Sequence, residues 1–190
     1  MTDVIYDNTF EASDFRESNL KKADYEGCSF INCNFSNTNL ADINFIDCTF
    51  SNCDLSMAVL NNTALRNIHF KNCKLLGLRF DHCKPFLFEV AFEKCQLNLS
   101  SFFQCVLKKT RFQNCELKEV DLAEANLTEA VFDSCDLSEA IFDNTTLENA
   151  DLRTAHNYSM DPDKNNIKKA KFSAAGVIGL LGKYDIVIEP

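Results

Sequence analysis

The chain has 190 residues, enough for one domain or one elongated array. Apolar residues make up 46% and charged residues 25%, with only five Gly and three Pro, which excludes a disordered, collagen-like or loop-rich chain. A net charge of −9 argues against nucleic-acid binding through the average field, because phosphates are held by Lys and Arg, and favours instead a basic surface on another protein, including one that normally holds DNA.

The chain starts MTDVIYDNTF, with neither a basic n-region nor an apolar h-region, so no signal peptide is expected. No apolar run reaches the ~18 residues of a membrane span. The expected location is cytoplasmic.

From Phe10 onward every fifth residue is Phe, Leu or Tyr, without a break to Phe80. The register then slips by two residues across 81–87. It resumes at Leu87 and holds to Leu152, giving 29 positions with no polar residue. A period of five fits neither a helix nor a flat strand. It fits a chain that turns a corner every five residues. Two residues before each large position sits a second inward site, nearly always small, as a narrow interior packed at crystal-like density requires.

The pentapeptides ADYEG, CSFIN, CNFSN, CDLSE and ADLRT carry the pattern. They resemble the pentapeptide repeat family over roughly residues 4–172. The resemblance implies an all-β solenoid, a right-handed quadrilateral parallel β-helix with four pentapeptides per 20-residue coil. Residues 20 apart should then stack. Phe10, Phe30, Phe50 and Phe70 do so in number, and two places later the column continues as Phe92, Phe112, Phe132, Leu152 and Phe172. About eight coils follow, a rod roughly 40 Å long at ~4.8 Å per coil.

All ten Cys fall at the small inward site: Cys28, Cys33, Cys48, Cys53, Cys73, Cys83, Cys95, Cys105, Cys115 and Cys135. They read as buried thiols serving as small hydrophobes. The alternative, a metal ladder or disulfides, lacks the close ligand spacing of a zinc site, and a cytosolic location disfavours disulfides. His69, His82 and His156 have no partner at a recognisable catalytic spacing, and no phosphate loop, H-E-x-x-H or G-x-S-x-G occurs. No catalytic residue, cofactor or metal is expected, and the protein is expected not to be an enzyme.

Charge is uneven along the repeat. Residues 1–59 carry ten acids and three bases, residues 60–115 three acids and nine bases, and residues 116–151 eleven acids and one base. The basic band includes Lys71, Lys74, Arg79, Lys84, Lys94, Lys108, Lys109 and Arg111, and reads as a solvated face; docking of an acidic partner or nucleic acid is the other reading. The acidic block consists of Glu116, Glu119, Asp121, Glu124, Glu129, Asp133, Asp136, Glu139, Asp143, Glu148 and Asp151. Held at closely spaced heights on a stiff post, these carboxylates imitate the outline and field of a duplex at lower charge density. Plain solubilisation of the exterior is the competing reading.

Residues 156–171 depart from the motif and read as a loosened final coil. Ser173 is placed to cap an α-helix over 174–184, and Ile186, Val187 and Ile188 suggest a short strand. The ending GVIGLLGKYDIVIEP is similar to that of Qnr-type quinolone-resistance and MfpA-type pentapeptide proteins. That likeness implies a C-terminal cap and tail-to-tail homodimer over 173–190, with Val177, Ile178, Leu180, Leu181, Ile186 and Val187 divided between cap and interface. It also implies a DNA-mimicking rod that binds DNA gyrase or topoisomerase IV, with quinolone resistance as the phenotype. No projecting loop of the kind some Qnr-type proteins carry is found, and the basic middle departs from a uniformly negative mimic. The alternative is a scaffold or adaptor with another protein partner and no gyrase activity.

Overall fold

The computed structural model describes residues 3–184 and 186–188, and over them the chain is a parallel β-solenoid. Its unit follows from the five-residue pattern. A large side chain points inward, its two neighbours point outward, and the residue two places on takes a left-handed conformation that turns the corner. Asn32, Asn52, Asn72 and Asn114 sit there at φ of 55°, 55°, 51° and 53°. That region favours Gly, Asn and Asp, although later corners here also carry residues such as Leu99, Gln104, Lys109 and Glu119. The sequence supplies Asn or Asp at most early corners, among them Asn37, Asp42, Asp47, Asn62 and Asn67.

Four walls result, numbered here by their first inward residues, Ile5, Phe10, Phe15 and Leu20. Strands β1 (Val4–Tyr6), β3 (Asp24–Glu26), β5 (Asn44–Ile46) and β7 (Ala64–Arg66) pair on the first wall. Strands β2 (Thr9–Glu11), β4 (Ser29–Ile31), β6 (Thr49–Ser51), β8 (Ile68–Lys71), β9 (Val90–Glu93), β10 (Arg111–Gln113) and β11 (Val131–Asp133) form a seven-stranded ladder on the second, spanning about six turns. Bridges from Val131 to Asp151 and on to Lys171 extend it. The third wall pairs through single bridges from Asp14 to His156, and the fourth through Arg79, Ser101, Asp121 and Ile141.

Partners on the second wall are Phe10, Phe30, Phe50, Phe70, Phe92, Phe112 and Phe132 in turn. Their rings stack with centroids 4.7–5.5 Å apart. The rung spacing of a parallel sheet, about 4.8 Å, is also a good stacking distance, so backbone pairing and ring packing reinforce each other.

The small inward site has a second role beyond fitting. The thiols of Cys53, Cys73 and Cys135 donate to the carbonyl oxygens of Phe30, Phe50 and Phe112 at 3.3, 3.3 and 3.4 Å. Thr63 and Thr145 fill the same site and donate to Leu40 and Leu122. The site therefore accepts Cys and Thr, whose short polar groups reach the coil below, whereas the buried Ser100 hydroxyl at the same site has no hydrogen-bond partner among the described residues. Nine cysteines are buried and all ten are free thiols; Cys105 is the half-exposed exception. Burial raises the Cys48 thiol to about 11. Cys53, Cys95 and Cys135 are also pushed up, first by the hydrogen bond to a neighbouring ladder thiol and then by burial.

Pair spacing is 20 residues at Phe50 to Phe70 and at Phe92 to Phe112, but 22 at Phe70 to Phe92. The two extra residues are taken up by a 3-10 turn, Phe80–His82, and by a bulge over residues 84–88. Leu87, expected to resume the interior, instead lies 62% exposed at φ 57°; Phe88 packs against the core in its place. The interior pattern resumes with Val90 and Phe92.

The tail also differs from expectation. Two 3-10 segments, Gly176–Leu180 and Gly182–Tyr184, stand where an α-helix was expected, and residues 186–188 form no strand. Ser173 Oγ accepts a hydrogen bond from the Gly176 N–H at 3.0 Å, but the residue that precedes the first segment is Ala175, which has no capping side chain. The glycines explain the difference. They lower α-helical propensity, and Gly179 is needed for close approach: a Cβ there would lie 2.1 Å from the Tyr158 carbonyl oxygen. Lys183 ties the tail to the irregular coil through Asp161, at 2.8 Å, and Asp163.

Candidate protein-interaction surface

The 20-residue turn sorts the eleven acids of residues 116–151 onto walls. Glu116 and Asp136 are direct bridge partners on the third wall. Glu119 and Glu139 occupy the next corner at φ 54° and 58°. Asp121 and Asp143 lie on the fourth wall, and Glu124 turns its far corner at φ 57°. The structure thus gathers these seven on two adjacent walls. The other four lie elsewhere: Asp133 and Asp151 on the second wall, Glu148 on the first, and Glu129 at the corner between those two.

Neutralisation follows the same division only in part, because Asp133 on the second wall has no cationic side chain within 4.0 Å among the described residues, while Asp136 on the third wall has one. Asp151 pairs with Arg153 at 2.7 Å, Glu129 with Lys109 at 3.8 Å and Glu148 with Lys168 at 3.7 Å. On the third wall Lys118 reaches Asp136 at 3.4 Å. Burial would raise the Asp136 carboxyl, but hydrogen bonds from Ser138, Asn157 and Lys118 prevail and hold it at about 2. Among the described residues, Glu116, Glu119, Asp121, Glu124, Glu139 and Asp143 have no cationic side chain within 4.0 Å. Five of these are exposed and Asp121 is half-buried. They define an anionic ridge that spreads from the third wall across the fourth and both of its corners, with exposed Ile141 inside it. Indexing the acids by their position within the 20-residue turn would have revealed the ridge from sequence; grouping them by segment did not.

The expected interface residues divide by burial. Leu180 packs against the solenoid core and Leu181 is half-buried, while Val177, Ile178, Ile186 and Val187 are exposed. Ile178 also lines a cavity of about 390 Å³ between the tail and Tyr158. His69 and His82 are exposed on the walls, and His156 ends the third-wall bridge ladder. Among the described residues no three His, Cys, Asp or Glu converge in a way that could hold a metal ion, and no helix is long and apolar enough to cross a membrane.

A stack of five-residue units with left-handed corners, 20-residue pairing and a Phe and Cys interior defines the pentapeptide-repeat β-helix. The sequence profile of the pentapeptide repeat region matches residues 23–85 and 79–157. The chain belongs to the pentapeptide repeat family. No curated protein matches it significantly. Among solved structures it is similar to a trypsin-treated, singly substituted form of QnrB1, a plasmid-mediated fluoroquinolone resistance protein, at 18% identity and TM-score 0.73 with both chains fully covered. A second trypsin-treated QnrB1 variant gives 16% identity and TM-score 0.61, covering 99% of this chain and 98% of that one. HetL, a pentapeptide repeat protein involved in heterocyst differentiation regulation in the cyanobacterium Nostoc, gives 17% and 0.56 over 90% of this chain and 87% of that one.

Proposed function

We propose that this protein is a non-catalytic interaction protein that acts as an acidic rod in place of duplex DNA, binding a type II topoisomerase, DNA gyrase or topoisomerase IV. The observation that carries the reading is the ridge of six uncompensated carboxylates on two adjacent walls. Rigid coils hold those charges about 4.8 Å apart in height, so a cationic saddle meets a preformed anionic edge. The fold shared with QnrB1 supports the reading, and quinolone resistance is the phenotype it implies. The exposed apolar tail supports a homodimer joined through the C-termini, which would place two anionic segments on either side of the junction. Adding purified protein to gyrase supercoiling assays across a salt series tests it: inhibition or protection should be strongest at low salt, where Coulomb attraction is least screened. No effect at low salt refutes it.

A second reading, an adaptor with a different protein partner, is favoured by one specific feature. Four of the eleven acids already pair with Lys or Arg of this chain, three of them on or between the first and second walls, so the negative field there is weaker than a duplex mimic requires. The fold shared with HetL is compatible with that reading.

A further inference from the structure

Eight of the ten cysteine thiols donate to a backbone carbonyl of the coil below, as Cys73 does to Phe50 and Cys95 to Phe70. Among the described residues, the thiols of Cys83 and Cys105 make no such bond. These two occupy the same place in successive coils. Phe80 and Phe102 stack face to face at 4.5 Å, and three residues on, the N–H groups of Cys83 and Cys105 each donate back to those residues' carbonyls at 3.0 Å. One rung of a parallel sheet, about 4.8 Å, lies within the roughly 4.4–6.8 Å of Cα separation that a disulfide spans.

The bulge opens this pair to solvent. A cleft of about 240 Å³ is lined by both cysteines together with Asp81, Pro85, Phe88 and Phe103. Cys105 is half-exposed, and Cys83 is buried at its inner lining. Cys53, Cys73 and Cys95 stack at the same rise, but each is at most 2% exposed. Accessibility, not spacing, therefore separates the cleft pair from the ladder. Neither cleft thiol is activated. Burial first, and then the Asp81 charge, raises Cys105 to about 12, and Cys83 is pushed up by burial, by Cys105 and by Asp81. The Asp81 carboxylate is itself paired with Arg79 at 2.6 Å. Protonated, shielded thiols exchange slowly, so this pair answers to a sustained oxidising shift rather than to a trace of oxidant.

We propose that Cys105 and Cys83 are a site of reversible disulfide modification, with Cys105 the thiol that reacts first and Cys83 the thiol that resolves it. The oxidant is a low-molecular-weight disulfide. The Cys105 thiolate attacks one of its sulfurs, the S–S bond breaks, and the departing thiolate takes up the proton that Cys105 gave away. The Cys83 thiolate then attacks the Cys105 sulfur, forms the Cys83–Cys105 bond and expels the second small thiolate, which takes up the proton from Cys83. Two protein thiols are oxidised and one small disulfide is reduced to two thiols. The new bond joins the coils on either side of the bulge. This chemistry needs no topoisomerase and stands whether or not the anionic ridge binds one.

The test incubates the whole folded chain with excess glutathione disulfide at mildly alkaline pH, where thiolate is more abundant, then blocks free thiols and maps the products by mass spectrometry. A peptide pair joining Cys83 to Cys105, free of glutathione and released by dithiothreitol, should be the first crosslink to accumulate. It should run at least about tenfold ahead of any link between ladder thiols such as Cys53 and Cys73. Cys83→Ser should stop the reaction at a lasting glutathione adduct on Cys105. Cys105→Ser should leave Cys83 unmodified, because a buried thiol does not meet the oxidant. Alanine replaces serine in either variant that loses its native circular dichroism. A lasting glutathione adduct on Cys105 of the unsubstituted chain, ladder crosslinks that form as fast, an adduct on Cys83 in Cys105→Ser, or no reaction at all overturns the proposal.

Discussion

The basic band and the acidic coils above it have the same interior and opposite exteriors. Phe92 in the band and Phe132 in the acidic block are both buried, both sit on the second wall, and both stack on Phe112 at 5.2 and 4.8 Å. Their outward neighbours differ entirely: the band has nine bases to three acids and the block eleven acids to one base. A solenoid separates the two tasks because each pentapeptide devotes fixed positions to the core and leaves the rest to solvent. Charge can therefore change sign along the rod while the coil stays the same.

Removing ring volume tests that separation most severely. Phe132→Ala and Phe92→Ala should each cost about 3–5 kcal/mol through lost burial and an unfilled cavity. Phe92 should lie at the upper end, because it also meets Phe70, Phe80 and Phe102, whereas Phe112 is the one aromatic partner found for Phe132. Denaturant melts of the two variants provide the comparison. A loss below about 1 kcal/mol in either would mean that the two regions do not share a core.

The next contrast concerns the small site. Cys115 is buried, and Cys115→Phe should overpack the shaft at a cost of about 1–3 kcal/mol. Cys105 is only half-buried and lines a cleft with Pro85, Phe88 and Phe103, so Cys105→Phe should cost less. Thermal melts that rank them the other way would contradict the placement of Cys105.

Much of this was legible in the sequence. The interior column could be read by counting in fives and twenties, because every inward position answers to one steric demand. The bulge was legible as a two-residue slip, but not its course. Leu87 satisfies the hydrophobic pattern, yet the chain turns it outward and uses Phe88, a choice made by packing against Phe80. The tail departs for a related reason: helical periodicity is present, but Gly176 and Gly179 serve contact with Tyr158 rather than an α-helix. The acids stand out by segment, and their division among walls becomes visible only when the turn is applied to their numbers.

Asp136 gives a smaller and pH-dependent effect. Its carboxyl is held at about 2, below the ordinary aspartate value near 3.9, so the charged form is favoured in the folded state. The stabilisation, about 1–2 kcal/mol, is present above pH ~4 and is lost as pH falls from about 4 to 2. Asp136→Asn should flatten that part of the stability profile and leave the neutral-pH melt only modestly lower. An unchanged acid limb would assign the acid sensitivity to other carboxylates.

Charge reversal on the ridge should have the least effect on folding and the greatest on binding. Glu119, Glu124 and Glu139 are exposed corner residues whose carboxylates have no cationic partner among the described residues. Their replacement by Lys removes like-charge repulsion and alters no inward contact, so stability should move by no more than about 0.5 kcal/mol. Left-handed corners accept Lys in this chain already, as Lys94 and Lys109 show at φ 53° and 62°. The same reversal at Glu129, Glu148 and Asp151 breaks existing ion pairs on the first and second walls and should leave ridge-dependent binding intact. Titrating both triple variants against gyrase at low salt separates a directed anionic edge from a general negative field. A directed edge loses binding only with the corner set, and a general field loses it equally with either.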